Sequence, residues 1–188
     1  MAMSNAGQPT MMNCAMNFGL VLGGFYIVKF CLQMLGLYSV MASLLFLGMA
    51  VVLPFFVFLL VLRYRDQFCG GRIGFSHAFF FSILTMSFGA LLASAAYYVY
   101  FAFIDGGAVV EACMLSLEQM QNLDLGSVEG VNSGNLASFN ELMQQAAQQL
   151  QAMSPVDMTL YLLSNNVWWG AILSLPIALV VSLSKLRK

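Results

Sequence analysis

Four long apolar runs, separated by polar breaks of very different length, organise this chain. They cover about Asn13 to Leu37, Val40 to Leu62, His77 to Ile104 and Asn165 to Leu183. A helix needs roughly 20 apolar residues to cross a hydrocarbon core about 30 Å thick, and each run meets that length. The first break, Gly36-Leu37-Tyr38-Ser39, is short enough for a tight helical hairpin. The third run is the longest, so it tilts or projects beyond the membrane. The pattern predicts an all-α membrane protein of four transmembrane helices.

The segment between the third and fourth runs has a different rhythm. Val110, Cys113, Met114, Leu117 and Met120 recur at helical spacing within Val109–Leu123, as do Leu136, Phe139, Leu142, Met143, Ala146, Leu150 and Met153 within Leu136–Met153. Gln and Asn fill the opposite faces. Gly126–Gly134, rich in Gly, Ser and Asn, reads as the turn between two amphipathic helices forming a cap. Ser154-Pro155 then starts a new helix, with Ser as N-cap, Pro at the first position and Asp157 in the first turn. This helix runs on into the fourth span. The expected organisation is a short polar tail at 1–12, spans one to three with a basic loop at 63–76 over 13–104, a cap at 105–157, and span four with a basic tail over 158–188.

Charge orients this layout. Only 8% of the 188 residues are charged and 61% are hydrophobic, against about 25% charged in a soluble domain. Arg63, Arg65 and Arg72 lie between spans two and three, and Lys185, Arg187 and Lys188 end the chain. These are six of the seven cations. Segments two spans apart share a side, and the positive-inside rule makes that side cytoplasmic. The N-terminus is then cytoplasmic too. The cap holds seven of the eight acids and no cation, so it is expected outside. Tyr97, Tyr98 and Tyr100 before it and Trp168 and Trp169 after it read as interfacial anchors. The first twelve residues carry no Lys or Arg, so a secretory signal is not expected.

Small residues four apart mark packing faces, because helices in lipid associate through close backbone approach. Gly19 and Gly23 in span one, Gly89 and Ala93 in span three, and Gly170, Ser174 and Ala178 in span four carry this signature. Pro176 predicts a kink in span four.

Candidate chemistry is sparse. Lys29 is the one cation within a span, and an intramembrane charge is a functional candidate. It lies towards the outer end of span one, where Asp105 is an expected ion-pair partner. His77 is the single histidine, with Ser76 and Asp66 nearby, and reads as a headgroup or helix-end contact. The cysteines, Cys14, Cys31, Cys69 and Cys113, follow no metal-ligand spacing. The 14 methionines suit Cu(I) by chemistry, but those of the cap fall on apolar faces, where Met is ordinary packing. No Walker loop, GxSxG, HExxH or paired membrane carboxylate appears. No catalytic, metal or cofactor site is expected. Three arginines fit anionic headgroups, and the chain's weak charge calls for no nucleic acid.

The chain resembles a bacterial family of small four-span membrane proteins, the domain of unknown function 4199 family. The resembling pieces are Arg65-Asp66 followed by Gly71, Ile73, Phe75 and Ala78-Phe79, then Tyr98-Val99-Tyr100 and Phe103-Ile104-Asp105. The Met-rich acidic segment, Ser154-Pro155 and the last span with its basic tail complete them. Two departures show: Gly106 stands where the family often has Pro, and His77 where a polar amide is usual. The resemblance implies an inner-membrane location and an accessory or anchoring role, with a polyprenyl-phosphate glycosyltransferase or another envelope-biogenesis enzyme as the partner. The expected function is a non-enzymatic scaffold or accessory subunit in contact with the bilayer and with a membrane-protein partner or further copies of itself. The alternative is a small oligomeric transporter or channel, with Ser82, Asn165 and Asn166 lining its pore.

Overall fold

Helix α1, Met11–Gly36, starts at Thr10, whose hydroxyl oxygen accepts from the Asn13 N–H at 3.4 Å. A computed structural model describes residues 10–112 and 151–183, with residues 114, 115, 141, 142, 144, 145, 148 and 149 between them. Among these residues the regular structure is helical. Helix α2 is Val40–Phe68, α3 is Phe75–Phe103 and α4 is Pro155–Leu183. Each of the four is long and apolar enough to cross a membrane.

The α1–α2 hairpin closes as its sequence suggests. Leu37 stays right-handed helical, Ser39 is extended, and the Ser43 hydroxyl donates to the Gly36 carbonyl at 2.9 Å. A Cβ on Gly36 would sit 2.8 Å from that hydroxyl.

Helix α2 runs six residues past the expected end at Leu62. Arg63–Phe68 contains no Gly or Pro, so nothing stops the helix until Gly70 and Gly71. Both take positive φ, 60° and 82°, and the Gly71 N–H turns back to the Arg65 carbonyl at 3.1 Å. Glycine reaches this left-handed region without the Cβ clash that other residues meet. The interhelical loop is therefore residues 69–74, shorter than the expected 63–76.

The chain divides into two units, Met1–Tyr97 with Thr159–Lys188, and Tyr98–Met158. In the first, α1 and α3 cross at glycine. A Cβ on Gly19 would lie 2.6 Å from the Phe88 Cβ, and one on Gly23 3.1 Å from the Gly89 carbonyl oxygen. A Cβ on Gly89 would lie 3.2 Å from the Gly23 nitrogen. Helix α4 meets α3 where a Cβ on Gly170 would sit 3.2 Å from the Met86 Cβ. The buried Ser174 hydroxyl donates to the Gly170 carbonyl at 2.7 Å, inside its own helix. Gly19, Gly23, Gly89, Ala93, Gly170, Ser174 and Ala178 are all buried. Helix α2 closes on α3 through Tyr64, whose ring stacks on Phe81 at 3.7 Å between centroids.

In the second unit, α3 ends at a turn through Gly106 and Gly107, with φ of 54° and 93°. Proline cannot take the φ of Gly106. The Asp105 carboxylate caps the short helical stretch beyond the turn, accepting from the N–H groups of Gly107 and Val109, each at 3.2 Å. Residues 108–112, 114 and 115 are helical, as are 141, 142, 144, 145, 148, 149, 151 and 152. The rest of the two expected cap helices, the turn at Gly126–Gly134, and Lys185, Arg187 and Lys188 lie outside the described residues. At the start of α4, Ser154 and Asp157 form a reciprocal cap. The Ser154 N–H and hydroxyl reach Asp157 Oδ2 at 3.1 and 2.7 Å, and the Asp157 N–H reaches Ser154 Oγ at 3.2 Å. This arrangement satisfies helix-end donors from both directions.

Candidate functional site

Two places in the four-helix unit gather polar side chains. The first is at the α2–α3 loop. The extension of α2 carries Tyr64 and Arg65 onto the buried face that already holds Val57 and Val61. The Tyr64 hydroxyl and His77 Nε2 are hydrogen-bonded at 3.0 Å. Arg65 is only 5% exposed, and its Nε donates to Asp66 Oδ1 at 2.8 Å. Arg65 therefore departs from the expectation of a lipid-surface anchor: one more helical turn placed it inside. Arg63 and Arg72 are exposed. His77 meets a phenol here, and Asp66 is held by Arg65. The cluster ties two helix ends together.

The second place is a recess of about 330 Å³ among the four helices, at the end of the unit away from that loop. Tyr26 and Lys29 line it from α1, Asn165, Asn166 and Trp169 from α4. Ala50, Leu53 and Pro54 of α2, Met86 of α3 and Leu173 of α4 complete its walls. Lys29 lies seven residues before the end of α1, about 10 Å at 1.5 Å per residue. Its ammonium sits 5.5 Å from the centroid of the Phe46 ring, within cation–π range. Asp105, its expected partner, uses its carboxylate on Gly107 and Val109 in the other unit. Among the described residues of its own unit no carboxylate pairs with Lys29.

Further groups shape the recess. The Asn166 Nδ2 donates to the Tyr97 hydroxyl at 3.3 Å, and the Tyr97 ring lies 4.4 Å from that of Phe30. Tyr97 is thus 4% exposed and packed inside, unlike the interfacial anchor expected from its sequence neighbours. Tyr98 at 44%, Trp168 at 72% and Trp169 at 57% are exposed, and Tyr100 is half-buried. Pro54 has no N–H to give, so the Ala50 carbonyl at the recess lacks its helical donor. An apolar groove of about 290 Å³ adjoins the recess, walled by Phe55 and Phe58 of α2 and by Pro176, Ile177 and Val180 of α4. Pro54 and Leu173 belong to both.

Sequence reasoning singled out Lys29 but did not join it to Asn165, Tyr26 or the groove. The available signal was Asn165-Asn166, a polar pair interrupting the apolar end of a span. Among the described residues no three His, Cys, Asp or Glu side chains converge on a point that could hold a metal ion.

No curated protein and no solved structure matches the chain. The family model described as protein of unknown function (DUF4199) matches residues 17–182, from the second turn of α1 to the last turn of α4. With nearly its whole length matched, the chain belongs to the DUF4199 family.

Proposed function

We propose that the protein is a non-enzymatic scaffold or accessory subunit of a bacterial inner membrane, and that α2 is the helix it offers to a partner. The observation that carries this reading is the contrast between α2 and the other helices. The most apolar 18-residue window of α2 has a mean hydropathy of 2.9, against 1.7 to 1.8 in the others, yet only 22% of it is buried. Leu44, Leu47, Val51 and Phe55 are exposed along it. Gly48 is a notch with open space before it. Apolar surface gains little from leaving lipid for protein, so such a face binds a partner by fit, and a glycine notch permits close fit.

The exposed Arg63 and Arg72, with the basic tail, support cytoplasmic termini and an extracytoplasmic 105–157. The family resemblance favours a polyprenyl-phosphate glycosyltransferase or another envelope-biogenesis enzyme as partner. A photo-crosslinking residue at Leu44 or Val51, used in native membranes, tests the reading. A single protein adduct from these sites, absent from sites on α1, is expected. Adducts only to lipid or to a second copy would contradict it, and ion flux by such an oligomer would favour a channel.

A further inference from the structure

We infer that the Lys29 recess, together with the α2–α4 groove, is a binding site for one anionic lipid bearing a phosphate headgroup, whether or not the protein is an accessory subunit. Lys29 is a cation lining a recess within the apolar part of the unit, and among the described residues of that unit no carboxylate lines the recess with it. A charge held away from water is costly until an opposite charge joins it. Asn165 is exposed, lines the same recess and has no side-chain partner among the described residues, so its amide N–H is available to an anionic oxygen. A phosphate accepts from several such donors at once, and hydrogen bonds between ionised groups are the strong ones.

The groove then chooses between a free anion and a lipid. It is walled by apolar residues and shares Pro54 and Leu173 with the recess, so the two adjoin across these side chains. It leads from the recess towards the loop end of α2 and the C-terminal end of α4. Lys29 lies near one end of α1, so this direction points into the span. A headgroup at Lys29 would therefore send an acyl chain towards the membrane centre, as a lipid in that leaflet requires. Free phosphate would leave the groove without a role.

The test uses the full chain in phosphatidylcholine nanodiscs, challenged with phosphatidic acid and read by native mass spectrometry. The wild type is expected to retain phosphatidic acid over phosphatidylcholine, with K29M lowering retention about tenfold or more and K29R keeping most of it. The comparison is made in an R63A/R72A background, so that headgroup contacts of these exposed arginines do not enter it. I177W, which fills the groove, should weaken a long-chain phosphatidic acid but not a six-carbon one. Thermal unfolding of each variant in detergent shows that it is folded. Equal retention with and without K29M would overturn the proposal. Displacement of the lipid by millimolar inorganic phosphate would overturn its lipid half, because the anion alone would then suffice.

Discussion

The Tyr64 hydroxyl lies 3.0 Å from His77 Nε2 while the Tyr64 ring stacks on Phe81, four residues further along α3. One side chain thus grips α3 twice, by a hydrogen bond near its first turn and by a ring contact in its second. Y64F keeps the ring and removes the hydroxyl. It should cost about 1 kcal/mol, the usual net worth of such a bond. H77A should cost a similar amount, and the double variant little more than either alone. Thermal unfolding of the four proteins in one detergent gives the coupling.

Gly23 and Gly24 are neighbours in sequence with opposite environments. A Cβ on Gly23 meets Leu92 at 2.7 Å, whereas one on Gly24 meets nothing within 4 Å. G23V should lose about 1–3 kcal/mol, the range for forced overpacking. G24V should stay near wild type. Unfolding midpoints by circular dichroism in the same detergent separate the two, and equal losses would refute a close α1–α3 crossing.

Thr85 is fully buried, and among the described residues its hydroxyl finds no hydrogen-bond partner. An unpaired buried hydroxyl carries a desolvation penalty. T85V keeps the shape and removes the polar atom, so a gain of about 1 kcal/mol is expected. The same unfolding assay reads it, and a loss would show that the hydroxyl has a partner.

Much of this fold was legible because its determinants are local. Apolar length set the four spans, Ser154, Pro155 and Asp157 set the start of α4, and small residues at fourfold spacing set the crossings. What escaped were the consequences of one extra turn and of facing. The sequence places Arg65 and Tyr97 beside residues that do face outwards, Arg63 and Tyr98. A helix rotates about 100° per residue, so neighbours part company, and only packing decides which goes in. The recess was half legible. An ammonium in an apolar run stands out in any sequence, but Asn165 is 136 positions away and joins it only through the fold.

We propose that this protein works as a subunit bound to a different membrane protein. The most direct measurement is the mass and composition of the complex formed by a tagged chain expressed at its native level and extracted intact in mild detergent. A stoichiometric complex with one larger membrane protein, lost when Leu replaces Gly48, is the predicted result. A monomer or homo-oligomer with no other protein in fixed ratio would contradict it.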